Sequence, residues 1–260
     1  MGEQKPVVIA CAMEEEARPF LDALTPTVQQ PSVIRDSGAP QPPAIIPVMP
    51  RDYRGPATFT SGTLFGHPTI VVTTGIGMTN AAVAATATLM QVEPLAYILA
   101  GTTGGLGRQV NVGHGIVAAS TLYHDADASA FGYSPGQIPQ MPALYEADPK
   151  LLGLLERARE KVDAPLHVGQ VSASNSFVTA PQVPSVREAF PEVVAVDMET
   201  AAAAQVCYTF RVPWVSLRAV SDMCDPEAAT TFDEGAPHAA EISFNMVKAL
   251  INALDDEESQ

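Results

Sequence analysis

The 260-residue chain carries 29 acidic against 14 basic side chains, a formal charge of −15, and 47% of its residues are hydrophobic. This composition suits one large buried core and speaks against nucleic acid or an anionic membrane surface as partner, since both call for clustered Lys and Arg. The sequence shows neither a basic-then-apolar leader nor an apolar run long enough to span a bilayer, so a cytoplasmic protein is expected, a single domain over 1–260.

Val7-Val8-Ile9-Ala10-Cys11 is a continuous apolar run, the pattern of a parallel strand buried on both faces. After Ala12-Met13-Glu14-Glu15-Glu16, apolar residues recur at helical spacing (Ala17, Phe20, Leu21, Leu24). Pro19 suits a first turn, so the helix is expected to start near Glu16. The helix dipole accounts for two of the three glutamates, and the third is placed to point back over the strand end as a base. Eight prolines between 26 and 56 mark a long irregular insertion, an interface arm or a mobile loop.

Leu64 to Thr73 reads as a hairpin-like pair turning near Gly66-His67-Pro68. Gly75-Ile76-Gly77 then precedes an Ala-rich helix from Thr79 to about Gln91. These glycines suit a tight strand-to-helix turn, because Asn80 stands where a dinucleotide fingerprint has its third glycine. A strand over Ala96–Ala100 leads into Gly101-Thr102-Thr103-Gly104-Gly105, either a plain turn or a loop whose N–H groups cradle an anion or a sugar hydroxyl.

Val112 to Thr121 is the next strand. In Tyr123-His124-Asp125-Ala126-Asp127 all the candidate ligands lie in one short segment with no second cluster to complete a shell, so packing is expected and no metal. Phe131-Gly132-Tyr133, Pro135-Gly136 and Pro139 form an aromatic loop, and Leu151 to Val162 an amphipathic helix. A strand over Val168–Ala173 ends in Ser174-Asn175-Ser176-Phe177-Val178, where Phe177 is either core or a stacking surface for a planar ligand. Cys11, Cys207 and Cys224 are widely spaced without a CxxC pair, which points to buried thiols.

Near the C-terminus, Val193-Val194-Ala195-Val196 runs through Asp197-Met198-Glu199 into an Ala-rich helix, and Trp214 to Val220 ends in Ser221-Asp222. Open α/β sheets place their ligand crevice at such strand exits, although a carboxylate there also serves as a helix cap. Ala239 to Leu254 is helical, and 255–260 is expected to be a frayed, solvated tail. Strands alternating with helices define an α/β architecture on a mainly parallel or mixed sheet.

Seven segments, in this order, resemble 5′-methylthioadenosine/S-adenosylhomocysteine nucleosidases of the nucleoside phosphorylase superfamily. They are Ala12-Met13-Glu14-Glu15-Glu16, Thr74-Gly75-Ile76-Gly77, Gly101-Thr102-Thr103-Gly104-Gly105-Leu106, Tyr123-His124-Asp125-Ala126-Asp127, Ala130-Phe131-Gly132-Tyr133, Val196-Asp197-Met198-Glu199 and Arg218-Ala219-Val220-Ser221-Asp222. The resemblance implies a three-layer phosphorylase/hydrolase-like fold with a central mixed β-sheet flanked by helices. It also implies cleavage of the N-glycosidic bond of a 5′-modified adenosine by a homodimer without cofactor.

On that resemblance Asp222 is the acid that protonates adenine N7, and Glu16 activates water with help from Arg218. Glu199 binds the ribose hydroxyls and Met198 packs on the sugar, while Thr102 and Ser221 belong to the same substrate site. Phe177 stacks on adenine and the Val178 backbone reads its edge. Met13, Ile76 and Phe232 form apolar walls, and Phe131 and Pro139 of a partner subunit cover the 5′-alkylthio group. Phosphate-using relatives place an arginine just before the Gly-rich segment, where this chain has Leu99-Ala100, so water is the expected nucleophile. Three departures stand out: Thr102 for the usual Ser, Asp197 for the usual Glu, and the length of the 26–56 insertion. A phosphorylase, an aminofutalosine nucleosidase and a non-catalytic nucleoside binder are the alternatives, and 5′-deoxyadenosine is a further candidate substrate.

Overall fold

A computed structural model describes residues 4–27 and 54–258, so most of the Pro-rich insertion and the last two residues of the acidic tail lie outside the described residues. The first half of the chain forms β1 (Val7–Cys11), α1 (Glu14–Ala23), β2 (Thr25–Pro26), β3 (Thr58–Leu64), β4 (His67–Thr73), α2 (Met78–Leu89), β5 (Ala96–Gly105) and β6 (Gly115–Tyr123). The second half forms β7 (Tyr145–Glu146), α3 (Pro149–Arg157), β8 (Leu166–Ala173), α4 (Val183–Ala189), β9 (Val193–Asp197), α5 (Thr200–Phe210), β10 (Trp214–Asp222) and α6 (Ala228–Glu258).

The sheet is mixed, with β1 pairing in parallel with β4 and β5, and β3 antiparallel to β4. Five strands close on one another: β5 pairs with β10, β10 with β6, β6 with β8, β8 with β9, and β9 returns to β5. Closure brings the ends of β5, β9 and β10 to one mouth, next to the end of β1. Val7 to Cys11 are fully or almost fully buried, as a strand between two parallel neighbours requires. Helices flank the sheet in two groups. α6 packs along β5 and β10 with α1 and α3 beside it, while α2 and α5 pack on each other. Among the described residues no helix is long and apolar enough to cross a membrane.

The structure corrects four expectations. α1 begins at Glu14, not near Glu16, and Pro19 sits in its second turn, because the Glu16 carboxylate itself bonds the amides of Ala12 and Met13 and secures the first turn. The Gly-rich segment is neither turn nor loop but the second half of β5, stabilised by its ladders to β10 and β9. α6 begins eleven residues before Ala239 and runs through Pro237; Gly235 permits this, since a Cβ there would lie 2.6 Å from the Ser221 carbonyl oxygen. Finally, 255–258 continue that helix, and Asp255 stands 2.8 Å from the ring of fully buried His67.

Candidate active site

A cavity of about 370 Å³ opens at the mouth where β1, β5, β9 and β10 end. It brings together Met13, Glu16, Ile76, Thr102, Phe177, Met198, Glu199, Arg218, Ser221, Asp222 and Phe232. Val178 lines a smaller adjoining pocket with Asp222 and Cys224. Phe131, 83% exposed, and Pro139 stand outside this chain's cavity.

Glu16 is buried and accepts four hydrogen bonds, two on each carboxylate oxygen. Oε2 receives the amides of Ala12 (2.8 Å) and Met13 (3.2 Å), and Oε1 receives the amide (2.7 Å) and hydroxyl (2.8 Å) of Thr102. The anion that the Gly-rich segment cradles is therefore the protein's own glutamate. The amide of Gly101, one residue earlier, donates to the Ser243 hydroxyl of α6 at 2.8 Å.

Glu199 sits at the β9–α5 junction, its Oε1 accepting from the Gly77 amide (2.9 Å) and its Oε2 from Arg218 Nη2 (3.2 Å). Gly77 adopts φ 102°, a left-handed geometry that lets the turn after β4 direct this amide inward. Burial raises the Glu199 carboxyl to about 7; the Arg218 charge opposes that shift, and the charges of Asp197 and Glu16 add to it. Arg218 is buried in mid-β10, with Nη1 donating to the Thr102 carbonyl (2.8 Å) and Nε 3.3 Å from Asp197 Oδ2. Burial disfavours its positive charge, but Asp197, Glu199 and Glu16 together more than offset that and lift its pKa.

Asp222 ends β10 just past a break in register with β5. Its Oδ1 accepts from the Cys224 amide and its Oδ2 from the Ser221 hydroxyl, each at 3.0 Å. Burial raises the Asp222 pKa, and these two donors hold it back. Phe177 and Phe232 meet edge to face in the cavity lining, ring centres 5.9 Å apart.

Sequence reasoning noted Asp197 as a departure from the family pattern but gave it no role; it lines the cavity and binds both Arg218 and the start of α5. Sequence reasoning also missed Ala229 and Asp233, hidden in the part of α6 that Gly235 and Pro237 made unreadable. His124 is a packing residue, its Nδ1 3.0 Å from the Ser172 hydroxyl and its pKa lowered by burial. All three cysteines are buried and unpaired. Among the described residues no cluster of three or more His, Cys, Asp or Glu side chains is arranged to hold a metal.

Buried carboxylates at the strand exits of a closed mixed sheet, beside two aromatic rings, are accompanied by a family match: the model of the phosphorylase superfamily covers residues 6–252. The 5′-methylthioadenosine/S-adenosylhomocysteine nucleosidase of Anoxybacillus flavithermus is 38% identical over 200 residues, 76% of this chain and 86% of that protein. The structure of the Neisseria meningitidis nucleosidase of the same name, in complex with methylthio-immucillin-A, is 32% identical with a TM-score of 0.82, covering 95% of this chain and 98% of that one. The Colwellia psychrerythraea enzyme, solved with adenine, is 28% identical at a TM-score of 0.82, over 97% and 96% of the two chains. The chain belongs to the 5′-methylthioadenosine/S-adenosylhomocysteine nucleosidase family of the phosphorylase superfamily.

Proposed function

We propose that the protein hydrolyses the N-glycosidic bond of 5′-methylthioadenosine and S-adenosylhomocysteine, releasing adenine and the 5-thioribose product. Breaking C1′–N9 develops positive charge on the ribose and negative charge on the purine. Asp222, whose raised pKa favours the protonated form, gives its proton to adenine N7 and so improves the leaving group. Glu16 takes a proton from the attacking water as it bonds to C1′, giving up for it the longest of its four hydrogen bonds, the 3.2 Å contact from the Met13 amide. Arg218 keeps Glu199 oriented and presents the rest of its fork to that water. Glu199 accepts the ribose hydroxyls on the lone pairs that Gly77 and Arg218 leave free, and Thr102 and Met198 complete the sugar site. Adenine stacks on Phe177, with the Val178 backbone and Ser221 at its edge, and Met13, Ile76 and Phe232 enclose the rest.

The observation that carries this reading is the charge of the cavity. Arg218 is the only cation among its described lining residues, and it is already bound to two carboxylates and a carbonyl. A phosphate nucleophile needs several charge-assisted donors, and the single N–H that Arg218 has left on each Nη suits a neutral water instead. Leu99 and Ala100, before the Gly-rich half of β5, are buried and apolar. Water is the nucleophile that fits.

Further elements of the proposal are a single domain, a cytoplasmic location and a homodimer. In the dimer, Phe131 and Pro139 of one subunit close the 5′ end of the other's cavity, which gives an exposed phenyl ring an apolar destination. The function is tested by adenine release from methylthioadenosine and from S-adenosylhomocysteine in phosphate-free buffer, with the sugar product identified by mass. Equal rates with and without phosphate and a free thioribose are expected. Strict phosphate dependence with a sugar 1-phosphate product would overturn the reading.

A further inference from the structure

One buried carboxylate has no part in the mechanism above. Asp197, at the end of β9, is 8% exposed and lines the cavity two residues before Glu199. Its Oδ1 accepts from the amides of Glu199 (3.0 Å) and Thr200 (2.9 Å). Its Oδ2 accepts from the Thr200 hydroxyl and stands 3.3 Å from Arg218 Nε. Arg218 in turn donates from Nη2 to Glu199 Oε2 at 3.2 Å and from Nη1 to the Thr102 carbonyl at 2.8 Å.

Asp197 thus reaches Glu199 by two routes, through the backbone at the start of α5 and through the guanidinium that grips its side chain. We propose that Asp197 is a positioning residue of the ribosyl site, setting the direction in which Glu199 meets the ribose hydroxyls. The proposal rests on the reading of Glu199 as the ribose-binding group.

The guanidinium is a rigid plane, so anchoring its Nε side fixes where both Nη groups point. Capping alone does not require an acid, because an Asn oxygen accepts the same amide bonds. The charge is required by Arg218. Without it, a buried Nε faces no anion and the fork is free to turn. Glu199 would then lose the aim of its charged donor, whereas Phe177 and Asp222, which share a small pocket with Asp197, make no hydrogen bond to its side chain among the described residues. The expected defect is therefore confined to the sugar.

The experiment compares Asp197→Asn, Asp197→Glu and Glu199→Gln for kcat and KM with methylthioadenosine and for the Kd of adenine alone. For Asp197→Asn, which keeps the cap and removes the charge, KM should rise by about tenfold or more while adenine Kd stays within about twofold, the scale of one charge-assisted hydrogen bond. Asp197→Glu should restore most of that loss. Wild-type KM and kcat in Asp197→Asn, alongside a raised KM in Glu199→Gln, would overturn the proposal while leaving Glu199 as the ribose ligand. An unchanged KM in Glu199→Gln would instead remove the reading of Glu199, and the proposal with it. Adenine and nucleoside affinity falling equally in both Asp197 variants would reduce Asp197 to a structural cap and overturn the proposal. If Asp197→Asn does not fold, Asp197→Ser, which also keeps a capping oxygen and removes the charge facing Arg218, is read in the same way: a rise in KM without a rise in adenine Kd supports the proposal, and no rise in KM overturns it.

Discussion

Gly101 lies so close to Glu16 that a β-carbon on it would stand 2.4 Å from the glutamate's carboxyl carbon. Its φ of 134° is one that side-chain-bearing residues rarely adopt. Both features have the same consequence: the strand gives up a side chain so that the Thr102 amide and hydroxyl can reach Oε1. Gly101→Ala should displace the Glu16 carboxylate and lower kcat by about a hundredfold or more, the usual cost of misplacing a reacting group by about 1 Å. Steady-state kinetics beside a thermal melt checks this. A melt shifted by many degrees with kcat unchanged would refute the steric account.

Asp222 connects pH to rate. The Ser221 hydroxyl donates to its Oδ2 and favours the ionised form, opposing the upward shift that burial causes. Removing that donor raises the Asp222 pKa further, so the proton needed by adenine is retained to higher pH. In Ser221→Ala the alkaline limb of the kcat profile should therefore move to higher pH. A limb that stays in place or moves to lower pH contradicts the assignment of that limb to Asp222.

His67 and Asp255 make a stability prediction away from the chemistry. Fully buried His67 starts β4, and its ring meets Asp255 of α6 (2.8 Å), Gln4 (3.1 Å) and the Lys5 carbonyl (3.2 Å). His67→Ala leaves polar groups unmatched and a cavity behind, and should cost about 2–4 kcal/mol in urea unfolding with kcat unaltered. A loss below about 0.5 kcal/mol would show that the contact contributes little.

Exposed in one chain, Phe131 has no core to lose. Phe131→Ala should leave the secondary structure intact by circular dichroism yet raise KM for methylthioadenosine several-fold, with adenine affinity unchanged. An unchanged KM would remove the partner-subunit lid from the account.

The parts of this fold legible in the sequence are those with a local cause. β1 and β9 follow from continuous apolar runs and β10 from a mainly apolar one, whereas the hairpin expected over Leu64–Thr73 is built from β3, which starts at Thr58, and β4, joined where Phe65 and Gly66 both take positive φ. The Gly-rich half of β5 has no strand propensity of its own and is extended because β10 and β9 bind it from either side. The first eleven residues of α6 were hidden by Gly235 and Pro237, which break helices in isolation; here Gly235 makes room for the backbone of Ser221. Most candidate site residues carried family motifs and fall around one cavity. Asp197 stood out only as a departure from the family pattern, with no role, because its tie to Arg218 exists only once β9 and β10 reach the same mouth.

The central claim, that Asp222 is the acid and the bond breaks by departure of the purine, is tested most directly by changing the leaving group. Asp222→Asn should lose methylthioadenosine hydrolysis by at least about a hundredfold, the lower range for a general acid. The same variant should cleave the p-nitrophenyl 5-methylthioriboside within about tenfold of the wild-type rate, because nitrophenolate leaves without a proton. Equal losses on both substrates would show that Asp222 only shapes the site, and wild-type rates on methylthioadenosine would remove it from the mechanism.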